Sequence, residues 1–403
     1  MLWLRLFLPF AGAYFLSYHY RTANAVVGPV LSAELSLGAA DLGLLTSAYF
    51  LGFGLAQLPL GVFLDRFGAR RVEASLLLIA ALGATVFASS PDIATLTVGR
   101  GLIGLGVSAC LMASLKTFSL WFPPERQASL VGWIMTAGTL GALAAATPLD
   151  LALRVASWRE IFYVLAAVTL GMAAWLWLAV PEKSGQPKPP PFSEQWVGVR
   201  AVLASRHFWR FAPLGFAQIG GFMAVQSLWS SAWLMQVNGY SRSLAAEHLT
   251  AMSVAMIVAY SLIGLLATRL ARRGVGSATL LGGGMTLALA TLLLIITEAV
   301  DQHYLLWIAY GSFSSFGTLA YTATSAGFPV ALSGRVNSTL NLMVFAGAFS
   351  LQWGLGVLID LLLAAGRSAA DAHRAAFVAL FVLQLAASLW MLAGARKGRS
   401  ASV

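Results

Sequence analysis

The chain has 403 residues, of which 59% are hydrophobic and 10% are charged, whereas about a quarter of the residues in an ordinary soluble domain are charged. This composition excludes a soluble globular protein and indicates an integral membrane protein. The chain contains one cysteine, Cys110, which excludes a disulfide framework and a metal cluster built on cysteines.

Apolar runs near the length of about 20 residues that a helix needs to cross a bilayer occur twelve times in the chain. The first run begins within five residues of Met1. It is too long for the apolar part of a signal peptide and lacks a cleavage site, so we expect it to stay in the mature protein. In chain order, the predicted spans are residues 6–31, 43–64, 72–89, 93–120, 128–150, 159–180, 208–236, 246–267, 276–297, 303–330, 336–362 and 375–394.

The distribution of positive charge predicts the orientation of these spans. An even number of spans puts both termini on one side of the membrane. If that side is the cytoplasm, seventeen lysines and arginines lie on the inward connections and ends, and five lie on the outward ones. Cytoplasmic loops carry such an excess. The sequence therefore predicts a multi-pass protein of the cytoplasmic (inner) membrane with both termini in the cytoplasm. Its net charge of +10 needs no nucleic-acid partner as an explanation.

The longest polar interval, residues 181–208, separates the sixth and seventh runs. Its proline-rich first part is typical of an extended linker. From Ser193 to Arg206, Trp196 and other apolar residues alternate with basic ones, as in an amphipathic helix at a membrane interface. We therefore predict a six-helix bundle at residues 1–180, a cytoplasmic linker with an interfacial helix at 181–207 and a second six-helix bundle at 208–403.

Two repeated motifs relate the halves of the chain. The stretch GVFLDRFGARR from Gly61 is matched by GLLATRLARRG from Gly264. The stretch ERQASLVGWIMTAG, which ends at Gly138, is matched by GRVNSTLNLMVFAG, which ends at Gly347. Two duplicated six-helix halves are typical of transporters, whose substrate site lies near the membrane midplane between the repeats.

The loop between the second and third runs resembles the signature of a known family. The pattern G-x-x-x-D-R-x-G-x-R-R is that of the major facilitator superfamily, and it is formed here by Gly61, Asp65, Arg66, Gly68, Arg70 and Arg71. In the fourth run, GRGLIGLG is similar to the second motif of that family, with Arg100 and Gly104 in its key places. The resemblance covers the whole chain. It implies an all-α integral membrane protein with twelve transmembrane helices in two pseudo-symmetric six-helix bundles, acting as a secondary transporter by alternating access.

Two positions depart from the family pattern. Thr268 stands in the second half where Asp65 stands in the first. The fifth run contains AGTLGALAAATP and lacks the Gly-Pro pair of proton-driven drug antiporters. The second departure disfavours drug export.

The residues of the motif loop also have a physical interpretation. We expect Gly61 to allow close approach of two helices, Asp65 to pair with a basic residue or a helix N-terminus, and the arginines to anchor the cytoplasmic face. Such a cluster can latch the protein in one state and release it in another. The alternative is that these charges serve topology alone. We expect Arg100 to hold helix contacts or to gate the outer half.

A polar stripe follows one side of the first run. At 100° per residue, it contains Tyr14, Tyr18, Arg21 and, at its flank, Asn24, whereas His19 points the other way and is expected to pack against a neighbouring helix. The resemblance implies that the first, fourth, seventh and tenth helices line a central cavity, so this stripe is expected to face it.

Similar faces occur on the other helices that are expected to line the cavity. They combine aromatic walls with hydrogen-bonding groups, as a small-molecule site needs, although aromatic stripes also occur in cores. Their residues are Gln218, Phe222, Gln226 and Trp229 in the seventh run and Tyr310, Ser314 and Tyr321 in the tenth. In the fourth run, Lys116 lies too far from Arg100 to share a site with it. Lys116 either extends to the cytoplasmic surface or faces the inner cavity.

The sequence shows no aspartate or glutamate in the middle of any predicted span. A buried cation needs compensation, and Arg21 has no evident carboxylate to supply it. We therefore expect Arg21 to bind an anion. The pair Arg21 and Asn24 is also similar to the pattern in the organic-anion and organophosphate branches of the family.

The leading functional hypothesis is transport of a small organic anion, which we expect to be a carboxylate bound between Arg21 and the seventh and tenth helices. Proton coupling would use the substrate's own group, His19 or a lysine, and counter-anion exchange or uniport stays equally open. The alternatives are export of drugs or siderophores, and import of copper by His248, Met252 and Met256, which follow at i, i+4 and i+8. No G-x-S-x-G, H-E-x-x-H or P-loop motif is present, so we expect neither an enzyme nor a cofactor. We expect a monomer in the lipid bilayer.

Overall fold

The computed structural model describes residues 2–181, 192–271, 273–329 and 332–400. Every regular element in these ranges is a helix. The chain forms two compact units, Met1–Phe192 and Ser193–Val403. The predicted proline-rich linker lies mostly outside the described residues, whereas a helix at Phe192–Leu203 occupies the place of the predicted interfacial helix.

Each of the twelve predicted spans coincides with helix. In the N-terminal unit the helices are Leu2–Thr22 and Asn24–Leu35 (first span), Ala39–Phe67 (second), Ala69–Ser89 (third), Ile93–Gly106 and Cys110–Trp121 (fourth), Pro124–Ala144 and Thr147–Ala152 (fifth), and Trp158–Ala179 (sixth). In the C-terminal unit they are Arg206–Leu214 to Ser230–Gln236 (seventh), Arg242–Ala271 (eighth), Ser277–Thr297 (ninth), His303–Ser314 to Leu319–Ser325 (tenth), Ser333–Ala364 (eleventh) and Ala369–Ser400 (twelfth).

Nine helical spans in the described residues are long and apolar enough to cross a membrane. The other three predicted spans, the first, seventh and tenth, are helices with an irregular segment inside. The first is interrupted at Ala23, the seventh contains wide π turns at Gly215–Gly220 and Val225–Trp229, and the tenth contains a tight 3₁₀ turn at Ser315–Thr318. Such irregular turns are frequent at functional sites. Three of the four helices that are expected to line the cavity are therefore interrupted, and so is the fifth span, between Ala144 and Thr147, which is not expected to line it.

The fourth span, the remaining one of these four, is also interrupted. Its two helices end at Gly106 and begin at Cys110, which leaves Val107, Ser108 and Ala109 between them. The carbonyl oxygen of Val107 accepts a hydrogen bond from the hydroxyl of Ser17 at 3.5 Å. The break in the fourth span is therefore tied to the first span.

Glycines set the spacing between the second and fourth spans. A Cβ added to Gly104 would collide with the backbone of Tyr49, and one added to Gly52 would collide with the backbone of Gly101. The expectation that Gly61 permits a close helix contact is wrong within the N-terminal unit, since a Cβ there would meet nothing within 4 Å. The second span makes its close contact with the fourth at Gly52, nine residues before Gly61.

Candidate functional site

Arg21 lies near the end of the first helix, two residues before the interruption at Ala23. Its side chain is 8% exposed. The guanidinium carbon lies 4.3 Å from the centroid of the Tyr18 ring and 5.8 Å from that of the Phe53 ring. Arg21 is therefore held against aromatic faces, which attract a cation through the ring quadrupole.

Arg21 has no ion pair within residues 2–181 of the structure, and its Nε atom has no hydrogen-bond partner there. The hydroxyl of Tyr49 faces the guanidinium, while that hydroxyl itself donates to the carbonyl oxygen of Ser17 at 3.0 Å. Aromatic faces and one hydroxyl leave the positive charge without a counter-charge. No pattern in the second span sets Tyr49 apart from packing residues, so the sequence does not predict its place beside Arg21.

The other members of the polar stripe contact one another or the second span. The rings of Tyr14 and Tyr18 meet edge to face with centroids 5.0 Å apart. The Nδ2 atom of Asn24 donates to the hydroxyl of Thr46 at 3.0 Å, and its buried Oδ1 atom has no partner in the described structure. The stripe predicted from helical periodicity is thus present, and the Asn24 amide ties it to the second span.

His19 lies away from the stripe, as expected. Its side chain is 7% exposed and its ring stacks on that of Phe15 at a centroid distance of 6.2 Å. His19 thus packs against its own helix, and a role for it in proton coupling stays a prediction.

Arg100 is completely buried. Its Nη1 atom donates to the carbonyl oxygen of Tyr20 at 2.9 Å, and its guanidinium carbon lies 5.4 Å from the Tyr49 ring centroid and 5.9 Å from that of Phe87. The guanidinium therefore joins the first, second, third and fourth spans. This arrangement agrees with the expected role in helix contacts, and it puts Tyr49 next to both buried arginines.

The side chain of Lys116 binds to the motif loop. Its Nζ atom lies 2.5 Å from the Oδ1 atom of Asp65 and 2.7 Å from the carbonyl oxygen of Leu64. Asp65 was expected to pair with a basic residue or a helix N-terminus, and the basic residue is Lys116. A role for Lys116 in binding substrate stays a prediction.

The rest of the motif loop forms a tight corner at the same end of the unit. Gly68 has a φ of +81° and joins the second helix to the third, a conformation that favours glycine. Arg70 donates to the carbonyl oxygen of Val180 at 3.3 Å, and Arg66 lies over the ring of Phe67. Arg71 follows in the first turn of the third helix. The side chains of the second-half copy at Gly264 and Thr268 lie outside the described residues.

In the C-terminal unit, three candidate ligands are fixed by neighbouring spans. Gln218 donates to the hydroxyl of Ser388 at 3.0 Å, and the indole of Trp229 donates to the carbonyl oxygen of Gln352 at 3.1 Å. The side-chain amide of Gln226 lies 3.3 Å from the sulfur of Met256. All three candidates are buried inside this unit. Their substrate roles stay predictions.

The aromatic candidates of this unit lie on the seventh and tenth spans. The ring of Tyr310 is 1% exposed and meets the ring of Phe222 edge to face, with centroids 5.5 Å apart. Tyr321 donates to the Oδ1 atom of Asn341 at 2.7 Å. Ser314 is half-buried at the start of the 3₁₀ turn. Phe222 and Tyr310 are thus brought together, whereas Tyr321 is turned toward the eleventh span.

The three residues considered for copper are engaged elsewhere. The Nδ1 atom of His248 lies 2.7 Å from the carbonyl oxygen of Leu244, and its ring packs on that of Tyr304 at 4.1 Å. Met256 contacts Gln226, and Met252 lies against Gly311. The part of the chain that the structure describes has no cluster of three metal-binding side chains of His, Cys, Asp or Glu.

Glu73, which is expected on the cytoplasmic side, is buried near the start of the third span. Glu73 belongs to the apolar helix Ala69–Ser89, and its side chain is 1% exposed. Because Glu73 follows the basic motif loop closely in the sequence, its pattern indicates a cytoplasmic position. Helical periodicity carries the missed signal, since Glu73 shares a face with Leu77, Ala80 and Ala84, which are completely buried.

Comparison with known proteins gives a family match and several relatives. The family model of the Major Facilitator Superfamily matches residues 10–352. The probable sulfoacetate transporter SauU of Cupriavidus necator is 24% identical over 356 residues, which cover 83% of this chain and 81% of that protein. The galacturonate transporter of Dickeya chrysanthemi is 28% identical over 163 residues and the hexuronate transporter of Escherichia coli K12 is 30% identical over 164. These two matches cover 47% and 38% of those proteins and 40% of this chain.

Solved structures give the same fold. A bacterial homologue of the human lysosomal transporter Spinster, in an inward-facing and unoccupied conformation, superposes with a TM-score of 0.79 at 19% identity and covers 97% of this chain and 96% of its own. The nucleoside transporter NupG superposes with a TM-score of 0.77 at 12% identity and covers 96% and 98%. At these identities the likeness concerns the fold of the twelve helices.

Proposed function

Because the chain belongs to the Major Facilitator Superfamily, whose members are multi-pass membrane transporters and not enzymes, we propose that it is a secondary transporter that moves a small organic anion by alternating access. The observation that carries this proposal is the uncompensated charge of Arg21. Its guanidinium lies against two aromatic rings and has no carboxylate partner in the described N-terminal unit. An anionic ligand supplies the missing counter-charge.

The geometry of Arg21 favours a planar or tripodal anion. A guanidinium presents parallel N–H groups that match two oxygens of a carboxylate, and a sulfonate offers the same pair of oxygens. Three relatives are named as transporters of sulfoacetate, galacturonate and hexuronate. Each of these anions carries a carboxylate or a sulfonate. The proposed substrate is therefore a small organic carboxylate or sulfonate, with Tyr14, Tyr18 and Asn24 as its further contacts in this unit.

Support for the remaining ligands comes from the C-terminal unit considered by itself. Phe222 and Tyr310 form an aromatic pair, and Gln226 and Ser314 are polar groups on the same two interrupted spans. Interrupted helices at ligand sites are common in transporters. We propose that these residues supply the walls and the hydrogen bonds for the uncharged part of the anion.

The charge bias of the connections supports a location in the cytoplasmic membrane with both termini inside. Export of drugs or siderophores and import of copper are not favoured by the relatives, and His248, Met252 and Met256 have other partners in the structure.

Uptake by reconstituted liposomes tests the proposal. We expect liposomes that contain the protein to exchange labelled galacturonate or sulfoacetate faster than empty liposomes. Arg21→Gln abolishes that exchange, whereas Arg367→Gln, which alters an exposed arginine, retains it. Normal exchange by Arg21→Gln excludes Arg21 as the anion ligand. Exchange of neither anion by the wild-type protein excludes this substrate class.

A further inference from the structure

Glu73 is a buried carboxyl group in a membrane span, with a side chain that is 1% exposed. Neither of its carboxylate oxygens meets a nitrogen or oxygen donor in the part of the chain that the structure describes, and the polar group that faces it is the thiol of Cys110, a weak donor. A lone carboxylate anion in an apolar interior is costly, so a group in this place is carried as the neutral acid or is paired. Acidic residues inside membrane segments mark proton pathways in transporters.

Two nearby basic residues, Arg70 and Lys116, are bound to other groups and do not pair with Glu73. Arg70, one turn earlier, donates to the carbonyl oxygen of Val180 and lies 5.3 Å from the centroid of the Trp177 ring on the sixth span. Lys116 on the fourth span holds Asp65 of the second. The titratable group that faces Glu73 from its packed neighbours is the thiol of Cys110 on the fourth span. Glu73 therefore lacks a cationic partner among the described residues, and the protonated acid is the form that an apolar site accommodates.

Cys110 connects Glu73 with the anion site. It is 1% exposed and begins the second helix of the fourth span, directly after the break at residues 107–109. Arg21 lies within electrostatic range of the same thiol. Glu73 therefore faces the thiol from the third span, while the helices that carry Arg21 and Tyr49 bind the backbone directly before it.

The break itself links the same elements. Ser17 of the first span donates to the carbonyl oxygen of Val107, and Gln57 of the second span donates to that of Ser108 at 3.5 Å. Irregular backbone inside a membrane helix has free carbonyls that need such partners. A change of charge at Glu73 thus acts on a segment whose hydrogen bonds come from the helices that carry Arg21 and Tyr49.

We propose that Glu73 binds the proton that this transporter couples to its substrate, and that Cys110 and the break at residues 107–109 link that proton to the anion at Arg21. The coupling rests on the proposed anion transport, whereas the proton site does not. One proton carried with a monovalent anion makes the transported pair neutral. Linkage is reciprocal, so anion binding at Arg21 raises the affinity of Glu73 for its proton.

The proton site is tested without any substrate. Infrared spectra of purified wild-type protein are recorded across pH, with Glu73→Gln as the test variant and Glu247→Gln, which alters an exposed carboxylate, as the control. We expect a band of a buried protonated carboxyl group in the wild type and in Glu247→Gln that is missing from Glu73→Gln. The chain has a single cysteine, so the S–H band reports on Cys110 alone. We expect it to shift with pH in the wild type and to stay constant in Glu73→Gln.

Two results overturn the proton site. One is a carboxyl spectrum that is the same in the wild type and in Glu73→Gln. The other is a wild-type S–H band that does not move at any pH at which the protein is folded. The second measurement needs no variant, so it decides the question even where Glu73→Gln does not fold.

Coupling is tested in liposomes with labelled galacturonate and sulfoacetate. We expect a proton gradient to raise accumulation by the wild type several-fold over the level without a gradient. In Glu73→Gln this ratio falls to one, and exchange loses its dependence on pH. A full response of Glu73→Gln to the gradient overturns the coupling. Exchange of neither anion by the wild type refutes the proposed substrate class and the coupling with it, while the infrared result on Glu73 stands by itself.

Discussion

The ammonium group of Lys116 lies 2.5 Å from the carboxylate of Asp65, so a lysine of the fourth span forms an ion pair with the end of the second span. Asp65 is 47% exposed and Lys116 is 17% exposed. An ion pair at such a surface stabilises a protein by about 1 kcal/mol at most. The contact is therefore weak enough to open during transport, as a latch must.

We predict that Asp65→Asn changes the conformational balance more than the stability. The free energy of unfolding should fall by no more than about 1 kcal/mol, because water replaces the lost partner. Thiol labelling at Phe67→Cys and Val155→Cys, both at exposed positions, should change in opposite directions, with the native Cys110 kept because it is 1% exposed. The exchanged pair Asp65→Lys with Lys116→Asp should restore the wild-type labelling. Unchanged labelling together with unchanged transport contradicts the latch.

Arg21 provides a test that separates charge from geometry. Arg21→Lys keeps the charge but loses the forked donor pattern, and Arg21→Gln loses both. Anion affinity should fall in the order Arg, Lys, Gln. Loss of a set of charged hydrogen bonds should weaken the binding free energy by about 1.5 to 3 kcal/mol. Without ligand, Arg21→Gln should melt higher than the wild type, because an uncompensated buried charge is removed. Binding isotherms and melting curves check both expectations. Normal binding with a lower melting temperature in Arg21→Gln would identify Arg21 as a structural residue.

The two motif glycines should respond differently to the same substitution. Gly104→Ala puts a methyl group into the backbone of Tyr49 and should cost about 1 to 3 kcal/mol of unfolding free energy. Gly61→Ala meets open space within its unit and should leave the melting temperature nearly unchanged. Thermal unfolding of the two variants in detergent checks the difference. Equal melting temperatures would contradict the close contact at Gly104.

The outer end of the N-terminal unit should show a pH-dependent stability. Arg159 and the indole of Trp158 donate to the carboxylate of Glu34 and lower its pKa. A lowered folded-state pKa stabilises the protein above the ordinary glutamate pKa of about 4.3, and this stabilisation is lost as the pH falls through the folded-state value. Glu34→Gln should therefore flatten the acid side of a plot of melting temperature against pH. An unchanged slope would show that the ion pair contributes nothing.

The histidine and methionines of the eighth span should be dispensable for anion transport. His248→Ala combined with Met252→Ala removes two of the three residues considered for copper and leaves Arg21 and its aromatic neighbours untouched. Uptake of labelled galacturonate or sulfoacetate should stay at the wild-type level. Loss of copper accumulation in cells that carry this double variant would instead support the copper hypothesis.

The sequence alone determined where the helices lie and that Arg21 lies in a span without an evident carboxylate partner. All twelve predicted spans coincide with helices, because bilayer insertion depends on the apolar length of each segment and needs no knowledge of its neighbours. Arg21 could be singled out for the same reason, since the cost of a charge in a span is local. The motif loop around Asp65 identified the family without any tertiary contact.

Tertiary structure decided which faces meet. The partner of Asp65 is Lys116, the close glycine contact is at Gly104 and not at Gly61, and Glu73 is buried although it lies beside a basic loop. Each of these facts depends on how two helices rotate and cross, and several rotations satisfy the same apolar pattern. The break in the fourth span, directly before Cys110, accepts hydrogen bonds from the first and second spans. No segment of the sequence encodes such a contact by itself.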